Sequence, residues 1–326
     1  MNPHESGSET PRPWTQVEPA VNTEHAVRLV VCDMDGTLLD SAGRIPDEFW
    51  PLLDAMRARG IAFAPASGRQ YATLARMFDH TGTVSSFVAE NGTMIVHEGS
   101  SVVTSSLDRP VVSRIVEAVR GSTSRGYGLV CCGSRGAYIE QSDSRFLAEV
   151  EKYYAALSVV DDLHGYEDET LKLAIYDSED VQGSAAQLGA VLRGGSAASG
   201  ASAGDGSRGS GVSSGSGRSV AAAEVAGRGD EYELVVSSRH WADIMPTGAN
   251  KGVGVRALQR ELGVTPAQTV AFGDYLNDLE LLGSADLSFA MANAHPDVRA
   301  RARYVAPAND ERGVVAVLSR LLGIEA

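Results

Sequence analysis

Two aspartates one residue apart, Asp33 and Asp35, follow the apolar run AVRLVVC in the stretch DMDGTLLD. A single Asp behind a strand commonly caps the next turn. Two like charges this close repel, and the arrangement holds only if a cation lies between them or one is protonated. Mg²⁺, which prefers oxygen ligands and takes one or two carboxylates, would meet that need. A carboxylate held there could also attack phosphorus.

Three further clusters carry compatible chemistry. Ser67-Gly68-Arg69 follows IAFAPA and offers a hydroxyl and backbone N–H groups to a phosphate. Lys251 in GANKG precedes a helical stretch, where its charge can meet a phosphoryl oxygen. GDYLND brings Asp274, Asn277 and Asp278 to the end of another apolar run. Each has an ordinary structural reading: Ser67 and Asp274 as caps, Lys251 as a solvated residue. Four such clusters at strand ends of one sheet describe a metal and phosphate site instead, because ligands of open α/β sheets bind beyond the carboxyl ends of the strands.

The elements that must hold these residues alternate. AVRLVVC reads as a buried parallel strand. Apolar Phe49, Leu52, Leu53 and Met56 then mark a helix that stops at Gly60. IAFAPAS is a second strand, followed by a helix around 71–78, the strand SSFVAENG and the strand TMIVHEG. This pattern predicts a parallel α/β sheet. The middle differs: paired runs GYGLVCC and GAYIEQ, then LKLAIYD, then the hairpin YELVVSS and WADIMPT predict a separate, mainly antiparallel sheet with helices on one face. From Lys251 the first pattern resumes. The expected organisation is a polar, unstructured tail over 1–26, a core over 27–100 and 247–326, and an inserted α/β unit over 101–246. Within that unit, 194–229 is almost wholly Gly, Ser and Ala and reads as a flexible insertion whose removal leaves folding intact.

The chain of 326 residues is 43% hydrophobic and carries 28 basic and 42 acidic residues, a formal charge of −14. That charge argues against non-specific nucleic-acid binding. No apolar run reaches the roughly 18 residues of a membrane span, and the N-terminus lacks the pattern of a signal peptide. Three cysteines, Cys32, Cys131 and Cys132, form no disulfide framework. A cytoplasmic monomer or homodimer acting on a small phosphorylated metabolite is the expectation.

The four clusters, in order, resemble the motifs of the haloacid dehalogenase superfamily of phosphohydrolases. The chain is more closely similar to its Cof-type members with a type IIB cap, through Glu90-Asn91-Gly92 ahead of the inserted unit and AMANAHPDVRARARYV after GDYLND. The resemblance implies a Rossmann-like core with an α/β cap and a Mg²⁺-dependent phosphatase of small phosphomonoesters, sugar phosphates or nucleotide- and flavin-related phosphates. By resemblance Asp33 is the nucleophile that forms an aspartyl-phosphate, and Asp35 the acid and base. Ser67 and Lys251 hold the phosphoryl oxygens, with Gly68, Arg69, Asn91 and Asn277 as further substrate- and phosphate-binding residues. Asp33, Asp35 through its backbone carbonyl, and Asp274 hold the metal, with Asp278 in or beside its shell. Arg135, His164 and Lys172 are the cap residues that could reach a leaving group. Two residues depart from the usual motifs: Ser67 stands where Thr is commoner, and Asn250 where a small hydroxyl residue is common. The same chemistry would serve a phosphotransferase or phosphomutase, and a non-catalytic phospholigand sensor is the reading from another class.

Overall fold

The computed structural model describes residues 10–18, 26–79, 84–121, 128–192, 225–228, 231–237 and 240–324. In chain order its strands are β1 (Arg12–Pro13), β2 (Leu29–Asp33), β3 (Ala62–Ala66), β4 (Ser86–Ala89), β5 (Met94–His97) and β6 (Ser100–Val103). There follow β7 (Gly128–Gly133), β8 (Ala137–Ile139), β9 (Leu157–Val159), β10 (Thr170–Tyr176), β11 (Val225–Arg228), β12 (Tyr232–Val236) and β13 (Trp241–Pro246), then β14 (Thr269–Gly273), β15 (Leu287–Met291) and β16 (Tyr304–Ala306). They form a nine-stranded sheet in the order β1-β16-β15-β14-β2-β3-β4-β5-β6 and a seven-stranded sheet in the order β11-β12-β13-β10-β7-β8-β9. The first is parallel from β1 to β4 with β5 and β6 antiparallel. The second is antiparallel except for the β8–β9 pair.

β2 is buried along its whole length, as its unbroken apolar run requires of a central parallel strand. Helices cover its sheet: α1 (Phe49–Ala58) buries Phe49, Leu52, Leu53 and Met56, and α2 (Tyr71–Phe78) buries Leu74 and Phe78. The second sheet shows the two-residue alternation of a sheet with different faces. Leu129, Cys131, Leu173 and Ile175 point into one cluster, with residues of α3 (Arg109–Gly121) and α5 (Val181–Leu192). Val130, Cys132, Ala174 and Trp241 point into another, with Phe146 and Val150 of α4 (Ser144–Val150). Helices therefore contribute to both faces and not to one as expected. The neighbouring cysteines lie on opposite faces, buried and free. Four further helices, α6 (Lys251–Leu262), α7 (Leu279–Leu282), α8 (Pro296–Arg301) and α9 (Gly313–Leu322), complete the chain. Among the described residues no helix is long and apolar enough to cross a membrane.

Three boundaries differ from the sequence expectation. The tail is structured over 10–18: Arg12 donates its backbone N–H to the Arg303 carbonyl at 3.0 Å, β1 pairs with β16, and Val17 is buried in the main core. The physical reason is an open strand edge that a short extended segment can pair, reinforced by Val17 in an otherwise polar context. Second, Ser100–Val103 extends the nine-stranded sheet, so 101–103 do not belong with the insert; a mostly exposed edge strand tolerates serines, which leave no apolar run to read. Third, Val225–Arg228 pairs with β12, so these four residues are a strand and not part of a flexible insertion. The remainder of 194–229, and 1–9 and 19–25 of the tail, lie outside the described residues.

Candidate active site

Strand register brings the motifs to one end of one sheet. Asp33 is opposite Ala66, one residue before Ser67, and Cys32 is opposite Phe272, two residues before Asp274. The turn after β2 is tight. Gly36 has φ +79°, and a Cβ there would lie 2.4 Å from an Asp274 carboxylate oxygen, so only glycine lets the turn and Asp274 come this close. Thr37 Oγ1 donates to Asp274 Oδ1 at 3.1 Å.

Lys251 opens α6 and is almost completely buried. Its Nζ donates to Asp33 Oδ1 at 2.5 Å and to Asp278 Oδ1 at 2.6 Å. Asn250 caps this helix through its side-chain oxygen, which accepts from the Val253 N–H at 2.9 Å; the uncommon residue thus has a clear local task. Asp278 is fully buried, and its Oδ2 accepts from the backbone N–H groups of Asp274 and Tyr275 at 2.9 and 3.1 Å. Oxygens of Asp33, Asp274 and Asp278 lie within 4.8 Å of one another. Three carboxylates face one ammonium, which leaves two negative charges in a buried place. That excess of negative charge favours protonation. Burial, and then the Asp278 charge, push Asp33 well above the carboxylate range and Asp274 up to about 6. Burial alone would depress Lys251, but Asp278 and Asp33 override it and raise its pKa. A hard divalent cation fits an all-oxygen set with this excess charge.

Ser67 is buried just past β3, and its Oγ accepts from the Arg69 N–H at 3.2 Å. Arg69 forms a two-pronged ion pair with Asp35, Nε to Oδ2 at 2.9 Å and Nη2 to Oδ1 at 2.6 Å. The same guanidinium lies 5.3 Å from the ring centre of Tyr153, which belongs to the segment after α4. Glu90, Asn91 and Gly92 take three successive positive φ values, 49°, 55° and 90°. A Cβ on Gly92 would lie 2.2 Å from the Asn250 carbonyl, so this close approach seats the loop against the start of α6. Asn91 Nδ2 donates to Asp243 Oδ2 at 3.2 Å, and Asn277 Nδ2 is 3.5 Å from Asn91 Oδ1.

A cavity of about 500 Å³ lies over these groups, with Asp33, Ser67, Asn91, Lys251, Asp274 and Asn277 on one side. Lys172 of β10, Asp243 and Trp241 of β13, Tyr153 and Tyr154 line the other. Lys172 Nζ donates to the Gly68 carbonyl at 2.8 Å and pairs with Glu90 at 3.1 Å and Asp243 at 3.5 Å. Of the three cap residues singled out from sequence, only Lys172 borders this space. Arg135 pairs with Asp168 and His164 with Glu117, both away from the cavity. Asp243 and Glu90 escaped sequence reasoning as site residues. The available signal was a charge inside each of two apolar strands, Lys172 in LKLAIY and Asp243 in WADIMP.

The description haloacid dehalogenase-like hydrolase fits residues 30–189 and 220–318, on either side of the Gly/Ser-rich stretch. The chain belongs to the haloacid dehalogenase-like hydrolases. Among curated members, 5-amino-6-(5-phospho-D-ribitylamino)uracil phosphatase YbjI of Escherichia coli (strain K12) is 30% identical over 303 residues, 92% of this chain and 98% of its own. A protein from Streptococcus mutans UA159 shares the fold with a TM-score of 0.70 at 24% identity, covering 91% of this chain and 99% of its own. A subclass IIB sugar phosphatase of the family aligns with a TM-score of 0.68 at 18% identity, over 92% and 100% of the two chains. These neighbours share the mixed α/β architecture in which a parallel sheet carries an inserted cap.

Proposed function

We propose that this hydrolase is a Mg²⁺-dependent phosphatase of small phosphomonoesters that works through a phosphorylated Asp33. The observation that carries the reading is the buried group of Asp33, Asp274 and Asp278 around Lys251, open to a cavity that also presents Ser67. Asp33, the Asp35 backbone carbonyl and Asp274 would hold Mg²⁺. Asp278, whose oxygens already serve Lys251 and two backbone N–H groups, orients the lysine and the Asp274 turn. When bound, the metal supplies the positive charge that lets a carboxylate approach a phosphoryl group.

An Asp33 oxygen forms a bond to phosphorus as the ester P–O bond breaks, and Asp35 gives its proton to the leaving oxygen. Asp35 then takes a proton from water. That water attacks phosphorus, breaks the bond to Asp33 and frees inorganic phosphate. Lys251 and the Ser67 hydroxyl offset charge on the phosphoryl oxygens throughout. Arg69 grips both Asp35 oxygens. For Asp35 to carry a proton it must be let go, and a phosphoryl group is the natural second partner for a guanidinium. The named activities of the relatives, on a ribitylamino-uracil phosphate and on sugar phosphates, support a small phosphorylated metabolite as substrate. The nine-stranded sheet then carries the chemistry and the inserted sheet the choice of leaving group. Phosphate release from p-nitrophenyl phosphate with Mg²⁺, abolished by EDTA and restored by added Mg²⁺, is the expected result. No release from a broad panel of phosphomonoesters would refute the reading.

A further inference from the structure

We infer that Lys172, a residue of the inserted sheet, is a positioning residue for phosphoryl transfer that acts on Ser67 through the Gly68–Arg69 peptide. The inference rests on the phosphatase reading above and takes the inserted sheet beyond the choice of leaving group. The loop after β3 has three successive backbone carbonyls, and each is partnered. The Ser67 carbonyl accepts from the Asn91 N–H at 3.0 Å and the Arg69 carbonyl from the Glu90 N–H at 3.1 Å, both supplied by the segment after β4. The middle carbonyl, that of Gly68, accepts from Lys172 Nζ at 2.8 Å. The other end of the same peptide is the Arg69 N–H, which donates to Ser67 Oγ at 3.2 Å. An ammonium on the carbonyl end polarises the peptide and strengthens its N–H as a donor. With Oγ held as an acceptor, the one hydroxyl proton of Ser67 is left for a phosphoryl oxygen.

The fold is arranged to bring this ammonium in. β10 carries one residue more than β7 between Thr170 and Lys172. At that bulge Leu171 packs into the main core, whereas Leu173 and Ile175 pack into the inserted sheet's own cluster. A bulge re-aims the side chains beside it, and Lys172 ends on the loop after β3. The two units are also tied together just beyond that loop. Gln70 Nε2 donates to the Ala156 carbonyl at 3.1 Å, and Gln70 Oε1 accepts from the Ala156 N–H at 2.9 Å. Thr73 Oγ1 donates to the Tyr153 carbonyl at 2.7 Å and accepts from the Ala155 N–H at 3.0 Å. Lys172 itself is buried. Burial alone would depress its pKa, but ion pairs with Asp243 at 3.5 Å and Glu90 at 3.1 Å override that and raise it, so the side chain stays charged.

A double-mutant cycle on p-nitrophenyl phosphate hydrolysis by the Mg²⁺-loaded protein tests this. Lys172→Met in the wild-type background should lower kcat about tenfold or more while KM changes less than about threefold. In Ser67→Ala, which has no hydroxyl to prepare, the same substitution should cost less than about threefold in kcat. Melting curves check that each variant is folded. A residue that touches the leaving group, or merely braces the fold, would cost the same factor in both backgrounds, and that result would overturn the inference. An unchanged kcat for Lys172→Met would overturn it as well. Lys172→Met leaves the buried Glu90 and Asp243 without their cation, so Lys172→Gln, whose amide keeps N–H donors on a shorter stem, is carried through the same cycle. Loss of folding in both variants would make Lys172 a structural residue and sink the inference, with the phosphatase reading still standing. Absence of p-nitrophenyl phosphate hydrolysis by the wild-type protein would instead count against the phosphatase reading itself and take this inference with it.

Discussion

The excess of carboxylates around Lys251 makes stability depend on pH and metal together. The Asp274 carboxyl is raised from an ordinary value of 3.8 to about 6, and Asp33 is raised in the same direction. Between about pH 4 and 6 the unfolded chain therefore gives up the Asp274 proton while the folded protein keeps it. The folded state binds more protons there, so its stability falls as pH rises through this window. By pH 7 the Asp274 contribution alone amounts to on the order of 3 kcal/mol of lost stability. A cation seated between the deprotonated carboxylates reverses that loss. For a chain of this size such a free energy corresponds to a melting shift of roughly 4 °C. The assay is thermal unfolding at pH 5 and pH 7.5, with and without saturating Mg²⁺, for wild type and Asp274→Asn. Mg²⁺ should raise the melting temperature clearly more at pH 7.5 than at pH 5. Asp274→Asn should be more stable than wild type at pH 7.5 without metal and should lose most of the Mg²⁺ response. A Mg²⁺ effect equal at both pH values, or undiminished in Asp274→Asn, would refute the reasoning.

Other consequences concern the proton carrier and its partner. Asp35→Asn should slow both the formation and the hydrolysis of the phosphorylated intermediate, by roughly 10²–10⁴-fold in single-turnover measurements; an unchanged rate removes Asp35 as acid and base. Arg69→Ala should raise KM for p-nitrophenyl phosphate more than it lowers kcat, because it removes a phosphate partner while freeing Asp35. A large loss in kcat at constant KM would contradict that division. Gly92→Ala forces a Cβ against the Asn250 carbonyl at a φ of +90° and should cost about 1–3 kcal/mol in urea unfolding, whereas no loss of stability would show that the loop is not held this tightly.

What sequence alone made legible follows from where the information lies. Asp33, Ser67, Lys251 and Asp274 stand at the ends of apolar runs or at a helix start, and a parallel sheet brings such ends together whatever the details of register. The partnership of Asp35 with Arg69 crosses 34 residues between the ends of neighbouring strands β2 and β3, and that of Asn91 with Asp243 crosses 152 and depends on how the two sheets meet; neither follows from local pattern. Lys172 and Asp243 stand out as charges in apolar strands, but their shared orientation toward the site is fixed by the pairing of β10 with β13. Arg135 and His164 were plausible by charge alone, and local acids hold them elsewhere. The short strands Arg12–Pro13 and Ser100–Val103 carry too few apolar residues to announce themselves, and each is made by an available edge.

Phosphorylation of Asp33 is the step on which the proposed mechanism turns, and chemical trapping detects it. Protein turning over a phosphomonoester with Mg²⁺ is quenched in acid and reduced with borohydride, which converts an acyl phosphate to the alcohol, and the altered residue is mapped by peptide mass. The predicted result is homoserine at position 33, absent when substrate is omitted and absent from Asp33→Asn, which should also lose turnover while keeping a near wild-type melting curve. Modification at Asp35 or Asp274, or full turnover by Asp33→Asn, would contradict it.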